Sequence, residues 1–361
     1  MGKNPDWYRD EKLLLRELKR GGESVRADRS TKSWAASRGA SDESRLQPPI
    51  RIRVPEIAGY EDLEELGRGG QGIVYGAMQH STQRKVAIKV LLAGAWAPEK
   101  HKRRFQREVE LIAALQHPHI VRLYDSGLTD EGYPYYVMEF IAGVGLDELI
   151  AAVSGGQPWV LSGYEHLAVI REEKPNRRAP SCFAMRSVLE LMAKVCEAVA
   201  YAHQRGMIHR DLKPSNIRID TQAEPHVLDF GLGKQLLGTP PNSSGAQVSS
   251  TGEFMGSLAW ASPEQTEGLP DRIDARADVY SLGIILFQML TGQFPYPVVG
   301  GFRQVLDRIK NAEPLRPSTL RKDLDDEVDT IVLKCLAKEP ERRYQDAGEL
   351  ARDVRHYVAD E

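Results

Sequence analysis

The run His209-Arg210-Asp211-Leu212-Lys213-Pro214-Ser215-Asn216, followed at short range by Asp229-Phe230-Gly231, gathers side chains that few chemistries need together. Asp211 is a candidate proton acceptor, and Lys213 can neutralise charge that develops in a transition state. Asn216 and Asp229 offer the hard oxygens that magnesium prefers. Taken singly, an Asp or Asn in such a stretch is more often a turn residue or a helix cap. In this order they suit ATP-dependent phosphoryl transfer to a hydroxyl.

Such a set needs a surface for phosphates. Gly67-Arg68-Gly69-Gly70-Gln71-Gly72-Ile73-Val74 reads G-x-G-x-x-G-x-V after a strand-like run, and glycines let a backbone come close to phosphates. The same spacing marks dinucleotide folds and ordinary turns. A dinucleotide fold wants a helix straight after the glycines, whereas Ile73-Val74-Tyr75 reads as a second strand, giving a hairpin lid. Further on, Val86-Ala87-Ile88-Lys89 ends an apolar triplet on a lysine. That lysine can contact the α- and β-phosphates if a carboxylate holds its ammonium. Glu108 in Arg107-Glu108-Val109-Glu110 is the expected partner, with Glu110 as the fallback.

The elements around these residues follow from periodicity. Tyr60-Leu66, Gly72-Gln79 and Lys85-Leu91 read as strands, as do Val121-Ser126 and Pro134-Phe140. Between them, Phe105, Val109, Ile112 and Leu115 recur at helical spacing, which predicts a helix from about Pro98 to Leu115. The rest is helical. Helices are expected over Ser187-Arg205, stopped by Gly206, and over Ala275-Leu290, stopped by Gly292 and Pro295. The second is apolar nearly all round and should be buried. Others fit Phe302-Lys310, Glu327-Ala337 and Ala347-Ala359.

Composition excludes several classes. A net charge of −3, from 48 basic and 51 acidic residues, gives no pull toward nucleic acid. No apolar run approaches the length needed to span a bilayer. Cys182, Cys196 and Cys335 lack metal spacing and read as reduced thiols of a cytoplasmic protein. Residues 1–55 carry 13 basic and 8 acidic residues and are expected to be mostly disordered. Within them Trp7 to Arg20 could form a short amphipathic helix, either solvated or docking. The stretch 152–183 fits neither strand nor helix and reads as an insertion, a passive loop or a docking surface. Either segment could receive a regulatory partner.

Taken together, these motifs resemble the eukaryotic-like Ser/Thr protein kinases, in the style of bacterial members, from about Tyr60 to Tyr357. The resemblance implies an α+β, bilobal fold: a small antiparallel β lobe plus one helix over 56–141, and a mainly helical large lobe over 142–361. It implies ATP and Mg2+ as cofactors and proteins with Ser or Thr acceptors as partners. Asp211 would orient the acceptor hydroxyl and take its proton, Lys213 would neutralise the γ-phosphoryl group, and Asn216 and Asp229 would hold metal. Leu66, the Gly67–Val74 lid and Ala87 would line the nucleotide. Met138 in Tyr136-Val137-Met138-Glu139-Phe140-Ile141 would be the gatekeeper, with the backbones of Glu139 and Ile141 bonding adenine. Ser262-Pro263-Glu264 would close an activation segment, Glu264 would pair with Arg343, and Asp278 would brace the catalytic loop. A pseudokinase scaffold and a small-molecule phosphotransferase are the rival readings.

Three positions depart from the family pattern. Gln71 stands where an aromatic is often found, Ser257 where threonine is usual, and Trp260 where tyrosine is common. Arg210 places a cation in the catalytic loop that a phosphate on the activation segment could neutralise. Candidates are Ser243, Ser244, Ser249, Ser250 and Thr251. Phosphopeptide mapping after incubation with Mg-ATP is expected to place phosphate on Ser249, Ser250 or Thr251. An unmodified Thr239–Glu253 region in fully active enzyme would rule this out.

Overall fold

The structure is a computed structural model that describes residues 54–69, 71–92, 99–154, 184–230, 257–268 and 272–360. The helix expected over Trp7–Arg20, Gly70, Pro98, Gly231, the side chain of Ser257 and the phosphate-acceptor candidates lie outside these residues. So does the insertion beyond Ser154.

The glycine motif forms a hairpin. Strands β1 (Tyr60–Gly69) and β2 (Gly72–Gln79) pair antiparallel, and β3 (Arg84–Leu91) follows β2. Gly72 can only be glycine, because a Cβ there would lie 2.3 Å from the Val90 carbonyl oxygen. With β4 (Leu123–Leu128) and β5 (Pro134–Glu139) these strands form one five-stranded sheet in the order β1-β2-β3-β5-β4. Helix α1 (Glu99–Ala113) is the one helix between β3 and β4 among the described residues. It buries Phe105, Val109 and Ile112, the stripe its spacing requires, and Leu115 is buried just beyond it.

A second, three-stranded sheet was not legible in the sequence. It joins β6 (Gly143–Gly145), β7 (Ile217–Asp220) and β8 (Pro225–Val227). Its strands of three and four residues are too short to show alternation. Helix α2 (Leu146–Ser154) follows β6, so residues 152–154 belong to a helix and not to the insertion.

Helices carry the large lobe. α3 (Met185–His203) buries Val188, Leu191, Val195 and Val199. After a short α4 (Pro263–Thr266), α5 (Ala275–Thr291) is buried at every position from Ala277 onward. Asp274 caps its first turn by accepting from the Arg276 N–H at 2.9 Å, and Gly292 ends it in the left-handed region at φ 71°. After α6 (Phe302–Asn311), which packs on α4, come α7 (Pro317–Leu320), α8 (Asp326–Cys335) and α9 (Ala347–Asp360), which pack on α5.

Close approach of α5 to α8 depends on Gly283. A Cβ at that position would meet the Cys335 Cβ at 2.5 Å, and neither atom can rotate away. Overpacking of this kind costs about 1–3 kcal/mol. The gain of alanine over glycine inside a helix, about 1 kcal/mol, does not offset it. Gly283→Ala is thus expected to lower the urea midpoint of unfolding, and a midpoint at or above wild type would contradict the packing described here.

Candidate active site

The catalytic loop leaves α3 through Gly206 and is fastened to α5 before it reaches Asp211. Asp278, 1% exposed, accepts the backbone N–H of His209 at 2.7 Å and of Arg210 at 2.8 Å. His203 Nε2 lies 2.9 Å from the same carboxylate. Arg210 needs this support, since its φ of 63° is costly for a side chain with a Cβ. Its carbonyl accepts from Gln265 Nε2 at 2.9 Å, so α4 grips the same turn from outside. His209 is fully buried. Its Nε2 donates to the Leu228 carbonyl at 2.8 Å, which leaves Nδ1 to accept the Asp211 N–H at 3.3 Å. Burial pulls the pKa of His209 down against the opposing pull of Asp278, in keeping with a neutral ring.

Beyond this brace the side chains converge. Asp211 is 5% exposed, and Lys213 Nζ lies 3.2 Å from its Oδ2. Asn216, at the end of a 3-10 turn over Pro214–Asn216, turns its NH2 inward to the Asp211 carbonyl at 2.8 Å. Its amide oxygen is the atom it can offer to a cation. The small sheet then brings Asp229 alongside: Ile217 pairs with Val227, and the Leu228 N–H donates to the Asn216 carbonyl at 2.8 Å. Among the described residues no group of three or more His, Cys, Asp and Glu could hold a metal. A cation here would have one carboxylate and one amide oxygen from the chain. That fits magnesium, which keeps waters and phosphate oxygens in its remaining positions.

The five-stranded sheet supplies the opposite wall. Val74 pairs with Lys89, Lys89 with Tyr136, and Ala87 with Met138. Paired residues share a face, and so do residues two apart along a strand. Val74, Ala87, Lys89, Tyr136 and Met138 therefore line one face. Of the lid, Leu66 is 40% exposed, Arg68 bonds Glu65 at 2.9 Å, Gly67 pairs with Val74, Gly69 with Gly72, and Gln71 accepts from the Leu92 N–H. Ile73 points into the lobe core, with no exposure. At the hinge the Glu139 N–H donates to the Arg122 carbonyl at 2.9 Å, and Ile141 is buried.

Lys89 meets a different carboxylate from the one expected. Its Nζ lies 2.5 Å from Asp229 Oδ2, where the sequence pointed to Glu108. The reason is burial. Both side chains are nearly closed to water, at 11% and 13% exposure, and a buried ammonium needs an equally buried counter-charge. Glu108 is only half-buried on α1 and makes its contacts elsewhere. The other oxygen of Asp229 accepts from the hydroxyl of Tyr136, which is fully buried. Burial would raise the Asp229 pKa, but the Lys89 charge and the hydrogen bonds from Lys89 and Tyr136 more than offset it. The carboxyl is held below its usual range.

Three of these residues escaped the sequence reading: Tyr136, Gln265 and His203. Tyr136 did carry a signal, a hydroxyl at a strand position whose neighbour Val137 is wholly apolar and buried. The expected scaffold is in place. Arg343 clasps Glu264 through two bonds of 2.7 and 2.9 Å, both side chains buried. Trp260 donates to Gln288 on α5 at 2.7 Å, which ties the end of the activation segment to the central helix.

Comparison with known proteins agrees with this geometry. Residues 60–354 match the protein kinase domain. The Ser/Thr-protein kinase PknB of Mycolicibacterium smegmatis is 36% identical over 302 residues, covering 82% of this chain and 42% of that protein. PknB of Mycobacterium tuberculosis is 35% identical over the same length. The chain thus spans about two-fifths of the length of these curated relatives. The crystal structure of the Mycobacterium tuberculosis PknI kinase domain superposes with a TM-score of 0.59 at 26% identity, covering 84% of this chain and 97% of that one. With the catalytic loop, its brace and the lid in these positions, the chain belongs to the protein kinase domain family.

Proposed function

We propose that this chain is a Ser/Thr protein kinase that uses ATP and Mg2+. The observation that carries the reading is the contact set around Asp211, with Lys213 at 3.2 Å and Asn216 bonded to its carbonyl, facing Asp229 and Lys89. Asp211 orients the acceptor hydroxyl and takes its proton as the hydroxyl oxygen bonds the γ-phosphorus and the bond to the β-phosphate oxygen breaks. ADP carries away the electron pair of that bond. Lys213 neutralises charge on the moving phosphoryl group, and its place two residues after Asp211 supports Ser or Thr as acceptor. Lys89 and the Gly67–Val74 lid hold the phosphates. Ala87 and Met138 would line the adenine, and the backbones of Glu139 and Ile141 would bond its edge. Asn216 and Asp229 would hold magnesium, which when bound would shield the negative charge of the phosphates.

Every charged position of the reaction is filled, which favours an active enzyme over a scaffold that only binds nucleotide. Buried, unbridged Cys196 and Cys335 support a reducing compartment, the cytoplasm. Among the described residues no helix is long and apolar enough to cross a membrane. Protein substrates are the expected partners. Residues 1–53 and 155–183, parts of the two segments that could receive a regulatory partner, fall outside the described structure.

Labelling of a generic basic protein by [γ-32P]ATP tests the assignment. Asp211→Asn is expected to cut turnover by roughly 10²–10⁴-fold with ADP binding retained. Asp229→Asn should also weaken the dependence on magnesium. Labelling unchanged by both substitutions would sink the kinase reading, and nucleotide binding without any wild-type turnover would favour the scaffold. Asp278→Asn tests the brace. It turns an NH2 toward a buried N–H donor and should cost about 1–3 kcal/mol of stability. Turnover should fall while ADP affinity holds; an unaltered turnover would mean that the loop keeps its place without this carboxylate.

A further inference from the structure

Asp229 is held from two sides, and its two partners differ in kind. Lys89 takes Oδ2 at 2.5 Å, while the Tyr136 hydroxyl donates to Oδ1. In the reaction proposed above, Lys89 must serve the phosphates and one oxygen of Asp229 must face magnesium. Lys89 is a long side chain that can swing between such duties. Tyr136 cannot. It sits in the middle of β5, with Lys89 of β3 opposite on one side and Ser126 of β4 on the other. Its residue is 1% exposed, so the ring is locked by packing.

The phenol acts as the donor here, because the carboxylate oxygen it faces can only accept. An apolar residue would fill this place in a strand core without the cost of a buried hydroxyl. The hydroxyl instead finds its partner in the carboxylate of the site. A carboxylate with one oxygen pinned by a rigid neutral donor presents its other oxygen in a fixed direction. Outer partners of this kind orient metal ligands, and their loss typically weakens metal affinity by about 10–100-fold.

We propose that Tyr136 is a positioning residue for magnesium, fixing Asp229 through Oδ1 so that Oδ2 is turned toward the metal once Lys89 moves to the phosphates. This rests on the assignment of Asp229 as a metal ligand. It concerns a residue that touches neither substrate nor metal and acts through Asp229 alone.

Tyr136→Phe in the full chain keeps the ring and removes the donor. Calorimetric titration with ADP over a range of Mg2+ concentrations reads the effect without turnover. The magnesium concentration giving half of the affinity gain is expected to rise about tenfold or more, while ADP affinity in EDTA stays at the wild-type value. The magnesium midpoint for phosphotransfer should move by the same factor, with KM for ATP unchanged at saturating metal. A midpoint that does not move, or that falls because the hydroxyl competes with the metal, overturns the proposal. Asp229→Asn measured in parallel separates the two levels. A wild-type magnesium response in that variant would mean that the metal assignment itself is wrong. A normal Tyr136→Phe beside an impaired Asp229→Asn would remove only the role of Tyr136. Should Tyr136→Phe fail to fold, a crystal structure of the wild-type chain with Mg-ADP decides. The Tyr136 hydroxyl should still bond Asp229 while the other carboxylate oxygen contacts magnesium, and a hydroxyl parted from Asp229 refutes the idea.

Discussion

One buried carboxylate, Asp278, determines where the catalytic loop can lie. Leaving water is costly for such a group, and it is offset here by two backbone N–H donors at 2.7 and 2.8 Å and by His203. Those two donors belong to His209 and Arg210, the residues directly before Asp211. Arg210 adopts a left-handed backbone that does not persist unless its surroundings impose it. The brace works because its own element cannot move: α5 is buried from Ala277 to Thr291 and approaches α8 as closely as Gly283 permits. The position of Asp211 is thus inherited from the core of the large lobe.

A second anchor acts on the same loop from the other side. Glu264 and Arg343 form a buried, two-bond pair, and Gln265, the next residue, bonds the Arg210 carbonyl. Pairs of this kind add little net stability once desolvation is counted, but they permit few geometries. The Glu264 pair fixes α4, and α4 fixes the turn before Asp211. Trp260, four residues before Glu264, bonds Gln288 on α5, so this end of the activation segment is tied to the central helix as well.

The two lobes meet chemically at Asp229. The three-stranded sheet places it beside Asn216, while the register of the five-stranded sheet aims Lys89 and Tyr136 at it from above. Hydrogen bonds from Val121 to the Val227 carbonyl, and from Val227 to the His119 carbonyl, join the segment ahead of β4 to β8 just before Asp229. The parts of this junction come from distant stretches of chain.

Much of this was legible in the residues themselves. The helical spacing of Phe105, Val109 and Ile112, the all-round apolar run of α5 and the strand-like Gly72–Gln79 are local patterns, and local physics enforces them. Glu264, Arg343 and Asp278 were legible only through their resemblance to a family, since their partners lie far off in sequence. The β6–β8 sheet was not legible, because strands of three or four residues carry no periodicity. The partner of Lys89 and the role of Tyr136 were decided by burial and register, which arise only when strands distant in sequence pair. By itself, then, the sequence determined the parts of the site and the order in which the chain presents them, because side-chain chemistry and periodicity are local. Only the tertiary structure decided which carboxylate faces which cation, because in a dry junction that choice depends on which groups are sealed from water together.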